Sequence, residues 1–273
     1  MRKSCRCGQD KGCGIVVRNC REVKVREVRF LGAWEEPGDF VELTLENPDW
    51  DGYRPGQFAM LRPKHWGLEL SWGRPFSISR ADADSVTFFF QVVGRGTARL
   101  SRLKPDDEVI IWGPLGNGFS APAETPTLLL AGGMGLAPLR GYVEKHPTPQ
   151  ALRLVFAHRA SIGSYPYQLL ADSIPAEAVH EKSPEDLPMI IERIQDEVRG
   201  AKDGLVLACG PLPFLKTVQQ AAREHKVRAE LSLERSMACG VGACLGCVCK
   251  DGQNKHVQVC ARGPVFKSDD VQF

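Results

Sequence analysis

The stretch that most narrows what this chain can become is MACGVGACLGCVC, residues 237 to 249. Four thiols crowd into it among glycines and small side chains. Four residues separate Cys239 from Cys244, two separate Cys244 from Cys247, and Cys260 follows further on. C-x4-C-x2-C…C is the plant-type spacing of thiolate ligands around a [2Fe–2S] cluster. Gly240, Gly242 and Gly246 fit that reading, because a loop wrapped around a cluster must turn tightly and bring backbone N–H groups close to sulfur. Zinc sites usually show two C-x2-C pairs or a Cys/His mixture, and only Cys244 and Cys247 make such a pair here. A disulfide knot would need an oxidising compartment, which nothing in the chain suggests. The spacing favours the cluster, with zinc as the main alternative. Cys249 points away from Cys247 if the backbone is extended there, and reads as a buried thiol.

The rest of the chain must supply a partner for such a centre. Its 273 residues suffice for two domains and a small module, and a formal net charge of +2 gives no reason to expect nucleic acid or a membrane surface. No apolar run approaches the roughly 18 residues of a spanning helix. The segment MRKSCRCGQDKGCG is basic but has no apolar stretch of the kind a secretory signal carries. Ten cysteines without such a signal point to a reducing compartment, and the cytoplasm is the expected one.

Periodicity divides the chain. Residues 21–122 are β-rich: EVKVREVRFL and FVELTLEN alternate, and DSVTFFFQVVG and DDEVIIWGP follow between turn residues. Short strands punctuated by Gly, Pro and Asp predict a small antiparallel barrel, which closes its own edges. Over 123–228 the pattern changes to apolar strands (TPTLLLA, LRLVFAH, GLVLACG) alternating with helices (LAPLRGYVEKH, PMIIERIQDEVR, PFLKTVQQAAREH). That alternation predicts an α/β domain with a parallel sheet covered on both faces. Residues 229–273 form the cysteine-rich module, and 1–20 an extension with Cys5, Cys7, Cys13 and Cys20. Those four thiols match no metal template by spacing. Metal binding and a tail with free thiols both remain open for them.

Two motifs stand out in the barrel. RPFSIS (Arg74, Pro75, Phe76, Ser77, Ile78, Ser79) sets a cation, an aromatic and hydroxyls on one strand, though a half-buried edge strand needs no ligand to explain it. In VVGRGTARLS, which begins at Val92, Gly94 and Gly96 precede Thr97 and a helix expected from near Ala98. A glycine turn opening a helix aims free N–H groups at an anion. In the α/β region, LLLAGGMGLAPL holds Gly132, Gly133 and Gly135 between a strand and a helix. It departs from G-x-G-x-x-G because Pro138 stands where the last glycine would, yet proline suits a first helical turn. ACGPLPFL puts Cys209, Gly210 and Pro211 at the end of a later strand. Both motifs fall beyond strand carboxyl ends, where open parallel sheets bind ligands. His158 and Arg159 end another strand, at the place where a 2′-phosphate would call for a cation.

Taken together, RPFSIS and the G-x-G-T helix start about twenty residues later resemble the FAD-binding barrel of the ferredoxin–NADP reductase superfamily. The resemblance implies Arg74 on the FAD pyrophosphate with Gly96 and Thr97, Phe76 against the flavin in place of the family's usual tyrosine, and Ser77 near flavin N5. It further implies that Gly133, Gly135, Cys209, Gly210 and Pro211 line a nicotinamide nucleotide site, with Cys209 at the flavin edge as the catalytic candidate. With the cysteine module added at the carboxyl end, the whole order resembles the electron-transfer subunits of type B dihydroorotate dehydrogenase. It is carried also by GPLGNGF and VCARGPVF, and the first twenty residues lie outside it. That likeness implies an NAD(P)H-dependent oxidoreductase subunit holding FAD, a [2Fe–2S] cluster at Cys239, Cys244, Cys247 and Cys260, and NAD(H). It would form a hetero-oligomer with a catalytic redox subunit that carries the substrate. The preference for NADH over NADPH rests on this likeness. The rival readings are a reductase subunit of another anaerobic complex, of sulfite reductase or hydrogenase type, and a non-enzymatic module with structural zinc.

Overall fold

The computed structural model describes residues 20–32, 39–122 and 124–273. Six strands, β1 (Cys20–Leu31), β2 (Phe40–Glu46), β3 (Phe58–Pro63), β4 (Arg74–Ala81), β5 (Ser85–Gln91) and β6 (Glu108–Leu115), close into a barrel. Its order is β1-β2-β5-β4-β3-β6, with every pairing antiparallel. Strict alternation of buried and half-buried residues along β6 shows why one face turns inward. The run Phe88-Phe89-Phe90 in β5 breaks that alternation because both its faces are covered. Phe88 and Phe90 fill the barrel, while Phe89 packs outward with Phe40 and Tyr165. A short helix, α1 (Arg95–Leu100), closes one end, starting three residues before the expected Ala98 because Gly94 is still extended and the helix begins directly after it.

The second region is a six-stranded sheet. β7 (Thr127–Gly132), β8 (Leu152–His158), β9 (Ala176–His180), β10 (Leu205–Cys209) and β11 (Arg228–Ser232) run parallel. Every residue of β7 and β10 is buried, as central strands require when helices cover both faces. The helices are α2 (Leu136–Lys145), α3 (Tyr167–Ala171), α4 (Leu187–Gly200) and α5 (Leu212–His225). One apolar cluster joins α4, α5 and the cysteine module on one face; another joins α2 and α3 on the opposite face.

The last region is a three-stranded sheet of β12 (Val248–Asp251), β13 (His256–Gln258) and β15 (Val271–Gln272), with α6 (Val259–Arg262) and β14 (Val265–Lys267) between the last two. β14 leaves its own module and pairs antiparallel with β11, so the sheet order is β14-β11-β10-β7-β8-β9. A boundary at 228/229 therefore cuts off β11 from the sheet it belongs to.

Helix α2 seats the barrel on the sheet. Gly141 is needed there, since a Cβ would come within 2.0 Å of the Tyr53 hydroxyl. Next to it Arg140 Nη1 lies 2.5 Å from Glu42 Oε1, with the two side chains only 10% and 5% exposed. Arg29 also pairs with Glu42, and Glu144 bridges Arg140 and Arg80.

Candidate functional site

The three regions meet at a cleft of about 720 Å3. The barrel contributes Arg74, Pro75, Phe76, Ser77 and Thr97, the sheet region contributes Met134, Ala137 and Ser232, and the following segment contributes Glu234 and Met237. RPFSIS thus divides. Its first four residues line the cleft, whereas Ile78 and Ser79 are fully buried and outside it. Ile78 belongs to the barrel core, and Val92 packs against that core rather than into the cleft. The bulge in the β4–β5 pairing between Ile78 and Arg80 is where the strand changes its facing.

Arg74 is held from several sides. Its Nη1 donates to the carbonyls of Trp72 (2.8 Å) and Gly73 (3.3 Å), and its guanidinium lies 5.7 Å from the Trp66 ring centre. Gly96 presses on the same side chain, where a Cβ would sit 2.7 Å from Arg74 Nε. Thr97 Oγ1 accepts from the N–H groups of Val93 (2.9 Å) and Gly94 (3.1 Å) and donates to the Gly94 carbonyl (3.0 Å), closing the turn. Phe76 leans on Phe90 with ring centres 5.0 Å apart.

The glycine turn after β7 is shaped by close approach. At Gly135 a Cβ would fall 1.9 Å from the Cys209 carbonyl oxygen, so only glycine lets the two strand ends meet. Gly132 abuts Pro211 and Phe214, and Gly210 abuts Gly132, while Gly133 is open with φ +52. The two nucleotide motifs therefore form one surface. Cys209 is only 1% exposed and does not line the cleft. Burial pushes its thiol up, and the charge of Glu234 pushes the same way, against a hydrogen bond from Ser232.

Glu234 is the residue that sequence reading missed. It opens onto the cleft and its surface stays exposed there, while the protein atoms crowded around it disfavour the charge and raise its carboxyl above the usual range. No spacing marks it; a single carboxylate in LERSM looks like any solvated charge.

The cysteine loop borders this cleft two residues beyond Met237. Gly242 N–H points at Cys260 Sγ (3.0 Å), Cys260 N–H at Cys247 Sγ (3.4 Å), and Val241 and Cys244 N–H at Cys239 Sγ (3.4 Å each). The thiols fall into two contacting pairs, Cys239 with Cys244 and Cys247 with Cys260. Burial would raise Cys239, but the N–H groups aimed at it outweigh that and bring it down to about 7. Cys260 is pushed up to about 12 by burial and by Cys247. Among the described residues, no three Cys, His, Asp or Glu side chains converge on one point as a mononuclear metal requires. Two thiol pairs with N–H donors on sulfur suit a two-iron cluster instead. Cys249 is buried, 6% exposed, in the apolar cluster that also holds Cys247 and Cys260.

The barrel and the loop also touch directly. Trp112 Nε1 donates to the Cys239 carbonyl (3.0 Å), and Gly240 packs so closely on Met60 that a Cβ would lie 2.6 Å from its Cγ. Cys20 is exposed at the start of β1, opposite Trp112, whereas Cys5, Cys7 and Cys13 lie outside the described residues.

Residues 234–272 match the family described as the iron–sulfur cluster binding domain of dihydroorotate dehydrogenase B. An electron transfer subunit of dihydroorotate dehydrogenase B (NAD(+)) from Caldanaerobacter subterraneus subsp. tengcongensis is 34% identical, over 90% of this chain and 98% of its own. The same-named subunit from Clostridium acetobutylicum is 32% identical over 80% and 86% of the two chains. Among solved structures, an NADH-dependent reduced ferredoxin–NADP oxidoreductase superposes with a TM-score of 0.76 at 21% identity, covering 92% of this chain and 89% of that one. Ferredoxin–NADP+ reductase from Plasmodium falciparum has a TM-score of 0.61 at 15% identity, covering 79% and 97%.

Proposed function

Since the chain belongs to the family of electron-transfer subunits of dihydroorotate dehydrogenase B, we propose that it carries electrons between NAD(H) and a catalytic partner subunit by way of FAD and a [2Fe–2S] cluster. The partner is a dihydroorotate dehydrogenase of pyrimidine biosynthesis, and the assembly is cytoplasmic, in keeping with free thiols on a chain whose described helices include none able to cross a membrane. One observation carries the reading: a single cleft is walled by barrel, sheet and cysteine segment, with the cluster loop at its border. A flavin held at this cleft would supply hydride acceptance and single-electron release, and a cluster held by the cysteine loop would supply one-electron transfer.

The chain supplies place and charge. Arg74, braced by Gly96 and two carbonyls, offers a guanidinium to a pyrophosphate. Phe76 and Pro75 give the cleft an apolar wall for the flavin ring, and Ser77 a hydroxyl within it. The free N–H groups after Gly94 face the same pyrophosphate. Gly133 leaves open space for a nicotinamide nucleotide, while Gly132, Gly135, Gly210 and Pro211 pack the two strand ends together around the buried Cys209, whose thiol burial keeps protonated. The paired thiols of Cys239 with Cys244 and of Cys247 with Cys260 would hold the two irons. The barrel domain spans 21–122, and the nucleotide domain runs on past 228 to include β11.

The test is an anaerobic purification with its natural partner. We expect a yellow-brown complex containing FAD, iron and sulfide that NADH bleaches and that oxidises dihydroorotate. A partner with another activity would move the chain to a different redox complex, and a colourless, iron-free product would defeat the reading altogether.

A further inference from the structure

At the carboxyl ends of β8 and β9, four rings stack in series. Tyr167 lies on Phe156 (5.7 Å between centres), Phe156 on His158 (5.3 Å) and His158 on His180 (4.7 Å), with planes within 20° of parallel. His158 Nδ1 is 2.8 Å from the Ala160 carbonyl oxygen, and His180 Nε2 is 3.0 Å from that of Arg159. A carbonyl oxygen can only accept, so each of these nitrogens carries the proton. Both rings, with Arg159 and Ile162, line an open cavity of about 600 Å3. Behind Arg159 stands Glu181, whose Oε1 is 2.7 Å from Arg159 Nη2; the carboxylate side chain is only 15% exposed, the arginine 75%.

We infer that Glu181 makes this cavity select an unphosphorylated adenosine ribose, so that the chain takes NADH and refuses NADPH. The inference rests on the proposed function in one respect, that the sheet binds a nicotinamide dinucleotide. A 2′-phosphate seeks an uncommitted cation and hydrogen-bond donors. Arg159 is the cation the cavity wall offers, and a carboxylate already neutralises it. His158 and His180 each spend a ring N–H on a backbone carbonyl, of Ala160 and Arg159, so those protons are not free for a phosphate oxygen. An exposed ion pair is weak in itself, so Arg159 could swing to the phosphate. Doing so would leave a largely buried carboxylate unpaired beside a dianion, and there the cost arises. Discrimination therefore comes from the charge of Glu181 acting through Arg159. Glu181 is a positioning residue that touches no substrate.

The experiment measures binding of adenosine 2′,5′-bisphosphate and of 5′-AMP to the full chain by calorimetry, alongside kcat/KM for NADPH and NADH. In Glu181→Gln the affinity ratio should move toward the bisphosphate by at least about fivefold, with a parallel rise in NADPH use. Adding Arg159→Ala should cancel that gain, which a merely structural role would not predict. If Glu181→Gln does not fold, Glu181→Ser is read in the same way. A smaller shift, or a gain that survives the loss of Arg159, overturns the inference. A wild-type chain that binds neither probe nor NADH would instead count against the proposed function.

Discussion

Cys239 and Cys260 are chemically the same side chain, yet the loop drives them in opposite directions. Burial pushes both up, but only Cys239 receives enough N–H donors to be pulled down to about 7, while Cys260 rises to about 12. The ligand spacing was legible because a cluster imposes it along the chain; the donor pattern was not, because it depends on which way each peptide points. Replacing Cys244, the exposed member of the proposed ligand set, with Ser should strip iron and sulfide while FAD stays bound, as absorption spectra and metal analysis would show. Arg74→Ala should weaken FAD retention by about 2 kcal/mol, roughly thirtyfold, through loss of a charged hydrogen-bonding group. Flavin released on gel filtration measures this, and unchanged flavin content would remove Arg74 from the pyrophosphate. Glu234 makes a pH prediction. Its carboxyl is raised in the folded chain, so the unfolded chain gives up that proton first, and stability declines as pH climbs past the ordinary 4.5. Glu234→Gln lacks that penalty. Its melting temperature should exceed the wild type's by a margin that is nil in acid and widens toward neutrality, and a constant margin would contradict this.

Among the elements, β1 and β6 announced themselves by alternation, and the apolar runs of β7, β8 and β10 announced a sheet covered on both sides. What stayed hidden was short or set by distant partners. β12 to β15 have two to four residues each, too few for any period, and β14 takes its place only by pairing with β11. Ile78 and Ser79 were counted with RPFSIS because a motif is read as a unit, whereas the bulge after Ile78 makes the strand obey its barrel. The contact of α2 with the barrel was equally silent, since Arg140 and Glu42 lie far apart in the chain. Arg140→Ala leaves Glu42 buried without its inner partner and should cost about 3 kcal/mol in denaturant unfolding. A loss within a few tenths of wild type would show that Arg29 alone satisfies Glu42.

At the scale of the molecule, the order barrel, sheet and cysteine module could be read from changes of period and composition, but the contacts that bring them onto one cleft could not. That convergence depends on glycines at 141 and 240, each filling a space where a Cβ would collide with the barrel. The hydrogen bond from Trp112 to the Cys239 carbonyl and the β11–β14 pairing then tie the cluster loop to both other regions at once. β14 has one more consequence. A gene cut after Leu233 would not release an independent nucleotide-binding half. The longer fragment would carry β11 as a bare rim of unpaired amides, ready to recruit further copies of itself into aggregates. The segment that conducts electrons is also the cap that keeps its neighbour from sticking.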